Sequence, residues 1–214
     1  MFLKELARRA LMATELGSAW LCYRAHPLHE DGWVRSCKEH RPIDRAGNPV
    51  PWITYPAIEF LSRRTRPDMF VFEYGSGAST LWWASRVERV ISVEHDPDWA
   101  RRVSAVAPAN TKVLHIPLVP EEPYVTSART QGIGFDVVVI DGRRRVECVP
   151  HAMAALKPGG VIILDNTDRP EYESGLRLLA EAGFRKIEFV GLAPMIAIKS
   201  ETSVWYRPGN CLGL

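Results

Sequence analysis

Residues 71–84 read V-F-E-Y-G-S-G-A-S-T-L-W-W-A, and this stretch decides the fold. Its apolar beginning is typical of a buried strand, and the bulky apolar residues at its end indicate a helix. Gly75 and Gly77 lie between the two, where they permit a tight turn that brings the backbone close to a ligand. A strand, a glycine turn and a helix in this order predict a site for a nucleotide-like ligand.

Regular elements continue outward from this stretch. Helices are predicted near residues 57–64, 151–156 and 170–182, and another is predicted to begin at Pro97 with Asp96 as its N-cap. Strands are predicted at residues 69–74, 90–94, 112–116, 135–141, 161–164, 186–190 and 203–206. Strands that alternate with helices indicate an open, mostly parallel α/β sheet. The continuous β-branched run at 135–141 predicts a strand that is buried on both faces.

Length and charge limit the alternatives. The 214 residues suit one domain of ordinary size, and a net charge of +2 is too balanced to favour a nucleic-acid partner. Residues 1–50 are predicted to form an N-terminal helix and an irregular arm or lid, and residues 51–214 the main domain. No segment suits a signal peptide or stable membrane insertion, and four separated cysteines favour reduced thiols; we therefore expect a cytoplasmic protein.

An acid stands at the end of each strand that borders the expected site. These acids are Glu73, Glu94, Asp141 and Asp165. Ligands of such sheets lie beyond the carboxyl ends of the strands, so we expect these side chains to face one site. Glu73 directly before the glycines would repel a pyrophosphate, and Thr80 replaces the third glycine of a dinucleotide motif. A ligand with a positive charge, such as S-adenosylmethionine, fits better than NAD.

At this point the sequence resembles the class I S-adenosylmethionine-dependent methyltransferases. The resemblance rests on F-E-Y-G-S-G-A-S-T, V-E-H-D, F-D-V-V-V-I-D-G and L-K-P-G-G-V-I-I-L-D-N, which occur in the family's order over residues 51–190. Within the family it is most similar to FkbM-like or related small-molecule methyltransferases. The resemblance implies a Rossmann-like, doubly wound, seven-stranded, mostly parallel sheet with an antiparallel last strand. It also implies that residues 51–214 form the methyltransferase domain.

The resemblance also implies roles for single residues. Those expected to hold S-adenosylmethionine are Glu73, Tyr74, Gly75, Ser76, Gly77, Ser79, Thr80, Glu94, His95 and Asp141. Among them, Glu73 is expected at the methionine end, Glu94 at the ribose and His95 next to the adenine. The resemblance implies S-adenosylmethionine as the cofactor, and we expect methyl transfer to a small molecule or glycan precursor, on oxygen.

Asp141, Asp165 and Asn166 form the expected catalytic group, and two chemistries remain open for them. Similar enzymes place these residue types around a divalent cation, and an all-oxygen set suits Mg²⁺. Metal-free members of the family carry the same residues, and there one carboxylate acts as a general base. The metal-free reading is favoured, so no metal ligand is assigned.

Four further residues are candidates for contact with the acceptor. Arg143 and Arg145 are placed to bind an acidic substrate, although a solvated helix start explains them equally well. Trp52 and Tyr55 are expected to form a wall of the site. The expected partner is a small-molecule substrate, for which the arginines favour an anionic one, and a homodimer is compatible with the sequence. An aminopropyl transferase on the same scaffold and a catalytically silent cofactor-binding protein remain as alternatives.

Overall fold

The computed structural model describes residues 2–25 and 27–214; Met1 and His26 lie outside the described residues. A seven-stranded sheet forms its centre. The strands are β1 Phe70–Tyr74, β2 Arg89–Glu94, β3 Thr111–His115, β4 Phe135–Ile140, β5 Leu156–Asp165, β6 Arg185–Gly191 and β7 Ser200–Tyr206.

The strand order is β3-β2-β1-β4-β5-β7-β6. Strands β3, β2, β1, β4 and β5 run parallel to one another, and β7 is antiparallel to both of its neighbours, β5 and β6. This arrangement confirms the predicted Rossmann-like sheet with an antiparallel last strand. The order reverses between β1 and β4, and this switch point is where ligands of such sheets bind.

Helices and short 3₁₀ turns connect the strands. The α-helices are α1 Phe2–Met12, α2 Glu15–Ala25, α3 Pro27–Glu30, α4 Trp33–Glu39, α5 Tyr55–Ser62, α6 Ala78–Ala84, α7 Pro97–Val106, α8 Glu122–Val125, α9 Arg145–Ala155 and α10 Glu173–Glu181, and the 3₁₀ turns are Arg129–Gln131 and Pro170–Tyr172. Helix α7 begins as predicted, because the Asp96 side chain accepts hydrogen bonds from the backbone N–H groups of Asp98 and Trp99. Pro97 follows at the first helical position.

Alternate residues of the strands supply two cores, one on each face of the sheet. Phe72 and Tyr74 pack with residues of α9 and α10 in one buried cluster. Val71 belongs to the other cluster, with Trp82 and Trp83 of α6 and residues of α5. This period of two is the pattern of a sheet that is covered on both faces, and it makes the fold doubly wound.

The segment before α5 contains more helix than the sequence predicted. Turn and breaker residues indicated an irregular arm after the first helix, but α2, α3 and α4 lie there, so that expectation is wrong for these residues. Gly32, with φ of 84°, starts α4, and the Trp33 indole Nε1 donates to the Ile196 carbonyl at 3.0 Å. The breakers therefore separate short helices, one of which packs against the loop between β6 and β7.

The division of the chain at residue 50 stays a prediction. Val50 and Ile53, on either side of it, both pack into the cluster of α5 and α6. Across the described residues, no helix combines the length and the apolar character that crossing a membrane requires.

Candidate active site

A cavity of about 240 Å³ opens at the carboxyl ends of β1, β2 and β4. Its lining consists of Glu73, Tyr74, Gly75, Ser76, Ser79, Glu94, His95, Val139, Asp141, Gly142, Arg143 and Arg145. Most of these residues, including Gly142 at the end of β4, were predicted from the strand ends, whereas Val139 was not. Gly77, Thr80, Asp165, Asn166, Trp52 and Tyr55 were predicted but do not line the cavity.

Two glycine turns touch each other at the base of the cavity. Gly75 adopts a φ of 99°, a backbone conformation that other residues rarely take, and a Cβ there would lie 3.2 Å from the Gly142 Cα. A Cβ on Gly142 would lie 2.4 Å from the Tyr124 hydroxyl and 2.9 Å from the Gly75 nitrogen. The ends of β1 and β4 meet this closely only because neither turn carries a side chain.

Glu73 is buried under the glycine turn and is only half satisfied. Glu73 is only 1 % exposed, and its Oε2 accepts a hydrogen bond from the Ser92 Oγ at 2.8 Å. The other oxygen, Oε1, has no hydrogen-bond partner in the described part of the chain. Burial raises the pKa of Glu73, opposed by the nearby hydroxyls of Thr80, Ser92 and Ser79. A buried, unpaired acceptor at a cavity is suited to a ligand that donates a hydrogen bond or carries positive charge.

Substituting Glu73 by Gln is expected to stabilise the protein without ligand. A carboxyl group with a raised pKa contributes stability below its ordinary pKa of 4.5 and loses it as the pH rises through the raised value. The neutral amide lacks this loss, so the variant should gain about 1–3 kcal/mol of unfolding free energy over the wild type towards neutral and alkaline pH. Urea unfolding between pH 4.5 and 9 measures the difference. The exposed Glu88→Gln is the control, and equal pH dependence of all three proteins would contradict the expectation.

Glu94 organises the turn at the end of β2. Its Oε2 accepts from the Ser76 backbone N–H at 3.2 Å and from the Ser76 Oγ at 3.3 Å. Its Oε1 accepts from the backbone N–H groups of His95 at 2.8 Å and Asp96 at 3.0 Å. The carboxylate therefore ties the glycine turn after β1 to the end of β2, at the cavity wall.

Two side chains that shape the site were missed by the sequence analysis. Ser92 pairs in register with Glu73 across β1 and β2 and holds its carboxyl group. The signal was present, because Ser92 is a lone hydroxyl inside an apolar strand. Trp99 donates from its indole Nε1 to the Ser76 carbonyl at 2.7 Å and so fixes the glycine turn from α7. Nothing in the local sequence distinguishes Trp99 from an ordinary helix residue.

Asp141 and Asp165 stand at the ends of neighbouring strands but in different surroundings. Asp141 lines the cavity, and its side chain is 26 % exposed. Asp165 is 4 % exposed and its Oδ1 accepts from the Thr202 Oγ1 at 2.5 Å. Burial raises the pKa of both carboxyl groups; the charges of Asp165 and Glu73 add to this at Asp141, and the Arg145 guanidinium opposes it. Asp141 is thus the carboxyl group that a ligand in the cavity can reach.

The two arginines predicted to bind substrate differ sharply. Arg143 is exposed, and its guanidinium makes no hydrogen bond or ion pair with the described residues. Arg145 is 9 % exposed and donates to Asp141, Gly142, Asn166 and the Asp165 carbonyl. Its donors are already used, so the structure does not support the predicted fork, and only Arg143 is free to bind an anion.

The predicted wall residues also lie differently from expectation. Tyr55 is buried in the core at 8 % exposure and Trp52 is 49 % exposed, so Tyr55 faces the core rather than the cavity. In the part of the chain that the structure describes, no three His, Cys, Asp or Glu side chains group as a metal site would. The Asn166 Oδ1 accepts from Arg145 at 3.2 Å, and its Nδ2 donates to the Ser200 Oγ at 3.0 Å.

Comparison with known proteins agrees with this geometry. The family model of a methyltransferase domain matches residues 72–167. A precorrin 8W decarboxylase of Methanobacterium thermoautotrophicum has a similar fold, with a TM-score of 0.56 and 16 % identity over 78 % of this chain and 96 % of that one. Aeropyrum pernix fibrillarin in complex with S-adenosyl-L-methionine has a TM-score of 0.52 and 17 % identity, over 66 % of this chain and 68 % of that one. Spermidine synthase from Thermotoga maritima has a TM-score of 0.54 and 14 % identity, over 70 % of this chain and 56 % of that one. No curated protein matches the sequence.

The match over residues 72–167 gives the chain a methyltransferase domain, and its sheet has the fold of S-adenosylmethionine-dependent methyltransferases. The matched residues run from β1 to the end of β5, and the fibrillarin of similar fold contains bound S-adenosyl-L-methionine. The FkbM-like subfamily stays a prediction.

Proposed function

We propose that the protein transfers a methyl group from S-adenosylmethionine to an oxygen atom of a small, anionic acceptor, a metabolite or glycan precursor. The observation that carries the proposal is the unpaired, buried Oε1 of Glu73 at the base of the cavity. S-adenosylmethionine has an ammonium group that donates hydrogen bonds and carries positive charge. A dinucleotide presents a pyrophosphate at this position, which Glu73 would repel.

The lining of the cavity also suggests where the ribose and the adenine of the cofactor lie. The backbone of Gly75 and Ser76 borders the methionine and ribose portions, where the absence of a Cβ permits close approach. The Glu94 carboxylate exchanges part of its bonding with Ser76 for the ribose hydroxyls, and charge-assisted bonds of this kind are the strong ones. His95, next along the chain, borders the adenine.

Asp141 is the proposed general base. It lines the cavity together with Arg143, so an acceptor whose anionic group pairs with Arg143 has its hydroxyl near the Asp141 carboxylate. The hydroxyl oxygen attacks the methyl carbon, the carbon–sulfur bond breaks, and the hydroxyl proton passes to Asp141. S-adenosylhomocysteine leaves as the neutral thioether. Positioning of the oxygen about 3–3.5 Å from the methyl carbon supplies much of the rate.

Aminopropyl transfer is the second candidate, because a spermidine synthase has a similar fold. Its acceptor is a polyamine, which is positively charged. The unpaired guanidinium of Arg143 at the cavity repels such an acceptor, so methyl transfer is favoured. Product analysis with isotopically labelled S-adenosylmethionine, and in parallel with its decarboxylated form as the aminopropyl donor, separates the two reactions. A silent cofactor-binding protein would give neither product.

S-adenosylmethionine and S-adenosylhomocysteine are expected to raise the melting temperature, and NAD and ATP to leave it unchanged. A ligand at one hundred times its Kd adds about 2.7 kcal/mol of stability. For a chain of this length that corresponds to about 5–10 °C. Differential scanning fluorimetry measures the shift. Stabilisation by NAD alone would contradict the proposed cofactor site, and the Glu73→Gln variant should show a smaller shift than the wild type because the ammonium loses its charged partner.

A further inference from the structure

Every N–H donor of Arg145 is engaged beside the proposed catalytic group. Nε donates to the Gly142 carbonyl at 3.1 Å. Nη1 donates to the Asp165 carbonyl at 2.5 Å and to the Asn166 Oδ1 at 3.2 Å. Nη2 donates to the Asp141 carbonyl at 3.4 Å and to the Asp141 Oδ1 at 2.8 Å. A guanidinium has five N–H groups, and these five contacts account for all of them.

The acceptors around the guanidinium form a set that hard cations also prefer. A carboxylate oxygen of Asp141, the amide oxygen of Asn166 and the backbone carbonyl of Asp165 converge on one positive charge. Mg²⁺ and Ca²⁺ bind oxygen ligands of these kinds. The Arg145 guanidinium occupies the centre of the set and is 9 % exposed, and the Tyr172 ring centroid lies 5.2 Å from its Cζ.

We propose that Arg145 is a positioning residue that takes the place of a divalent cation at this site. The inference rests on the proposed function and adds how that function dispenses with a metal. The positive charge of Arg145 stabilises the ionised Asp141 carboxylate. Without it, burial and the neighbouring acids would make that ionised form unfavourable. Its planar fork also fixes the direction of the Asp141 carboxylate towards the cavity.

The backbone on both sides of the interaction holds the Arg145 side chain in one defined position. Arg144 adopts a φ of 54° and Asn166 a φ of 60°, both in the left-handed region that non-glycine residues seldom occupy. These conformations flank the two ends of the interaction, the start of α9 and the end of β5. The Asn166 Nδ2 is fixed by Ser200 at 3.0 Å, so its oxygen faces the guanidinium.

The first test uses the wild type with and without divalent cations. Its melting temperature and its affinity for S-adenosylmethionine, measured by calorimetry, should not change when EDTA is added. Millimolar Mg²⁺, Mn²⁺ or Ca²⁺ should likewise leave both unchanged. A fall in either quantity with EDTA that Mg²⁺ reverses would overturn the inference. Failure of the wild type to bind S-adenosylmethionine at all would instead overturn the proposed function, because the cation measurements on melting temperature do not depend on that ligand.

The second test removes the guanidinium. Arg145→Ala leaves the Asp141 carboxylate facing the Asn166 oxygen without a cation, and the melting temperature should fall by at least about 5 °C. Low millimolar guanidinium or Mn²⁺ should then restore part of the loss, because either cation fits the vacated oxygen set. Arg144→Ala is the matched control: Arg144 pairs with Glu121 and Glu147 on the surface, and its variant should respond to neither cation.

Arg145→Lys keeps the charge but lacks the fork, and it covers the case in which Arg145→Ala does not fold. A single ammonium cannot reach Asp141, Asn166 and the Asp165 carbonyl with the same geometry. We expect an intermediate melting temperature and a lower kcat at unchanged KM for the cofactor. A Lys variant equal to the wild type in both, or an Ala variant that folds yet gains nothing from guanidinium or Mn²⁺ beyond the Arg144→Ala control, would overturn the inference.

Discussion

Replacing Asp141 by Asn is expected to lower kcat by about 10²–10⁴-fold, the usual contribution of a general base. Asn keeps the size of the side chain and can still accept from Arg145, but it cannot take the acceptor proton. The affinity for S-adenosylmethionine should change little, because the proposed contacts to the cofactor come from β1 and β2. The rate of S-adenosylhomocysteine formation, with an acceptor found by labelled methyl transfer, measures the effect.

The pH profile gives an independent check on Asp141. Burial and the neighbouring carboxylates raise its pKa above the ordinary value, and only the unprotonated form accepts the proton. The rate should therefore still rise with pH at neutrality rather than level off near pH 5. Asp165→Asn is the control: Asp165 does not line the cavity, so its variant should lose stability with less effect on kcat. A fully active Asp141→Asn enzyme would exclude Asp141 as the base.

Glu94→Ala is expected to weaken binding of S-adenosylmethionine by about 1.5–3 kcal/mol, or about 10–150-fold in Kd. The variant removes the proposed acceptor of the ribose hydroxyls. It also releases the backbone N–H groups of Ser76, His95 and Asp96 that the carboxylate holds, so the glycine turn loses part of its order. Isothermal titration calorimetry measures the change directly.

Two variants separate these contributions of Glu94. Glu94→Gln keeps an oxygen for part of the backbone contacts but lacks the charge, so its loss of affinity should be smaller than that of the Ala variant. Glu88→Ala, on an exposed position just before β2, should bind as the wild type does. An unchanged affinity of Glu94→Ala would mean that the ribose is held elsewhere.

Strand ends were the part of the site that the sequence predicted well. The β-branched run of β4 and the apolar start of β1 identify strands without tertiary information, since burial on both faces requires such residues. Because parallel strands present their carboxyl ends at one edge, Glu73, Glu94 and Asp141 were expected together, and all three line the cavity. The antiparallel β7 followed from the family resemblance rather than from the residues.

The direction of individual side chains could not be predicted. Arg143 and Arg145 are two residues apart in one sequence run, yet one is exposed and the other is enclosed by oxygens from β4 and β5. That difference depends on the left-handed turn at Arg144, which Arg144 does not signal in the sequence. The short helices α2 and α4 were missed for a related reason, because breakers such as Gly32 mark helix ends as often as loops.

The contact between Gly75 and Gly142 also limits how the enzyme can diversify. A side chain at Gly142 would collide with the Tyr124 hydroxyl and with the turn that borders the proposed cofactor. The turns after β1 and β4 therefore constrain each other, because a Cβ on either glycine would crowd the other turn. Arg143 also lines the cavity, but its side chain is exposed, so a substitution there meets no such collision. We therefore expect variation in substrate range at Arg143, while the glycines of the two turns stay unchanged.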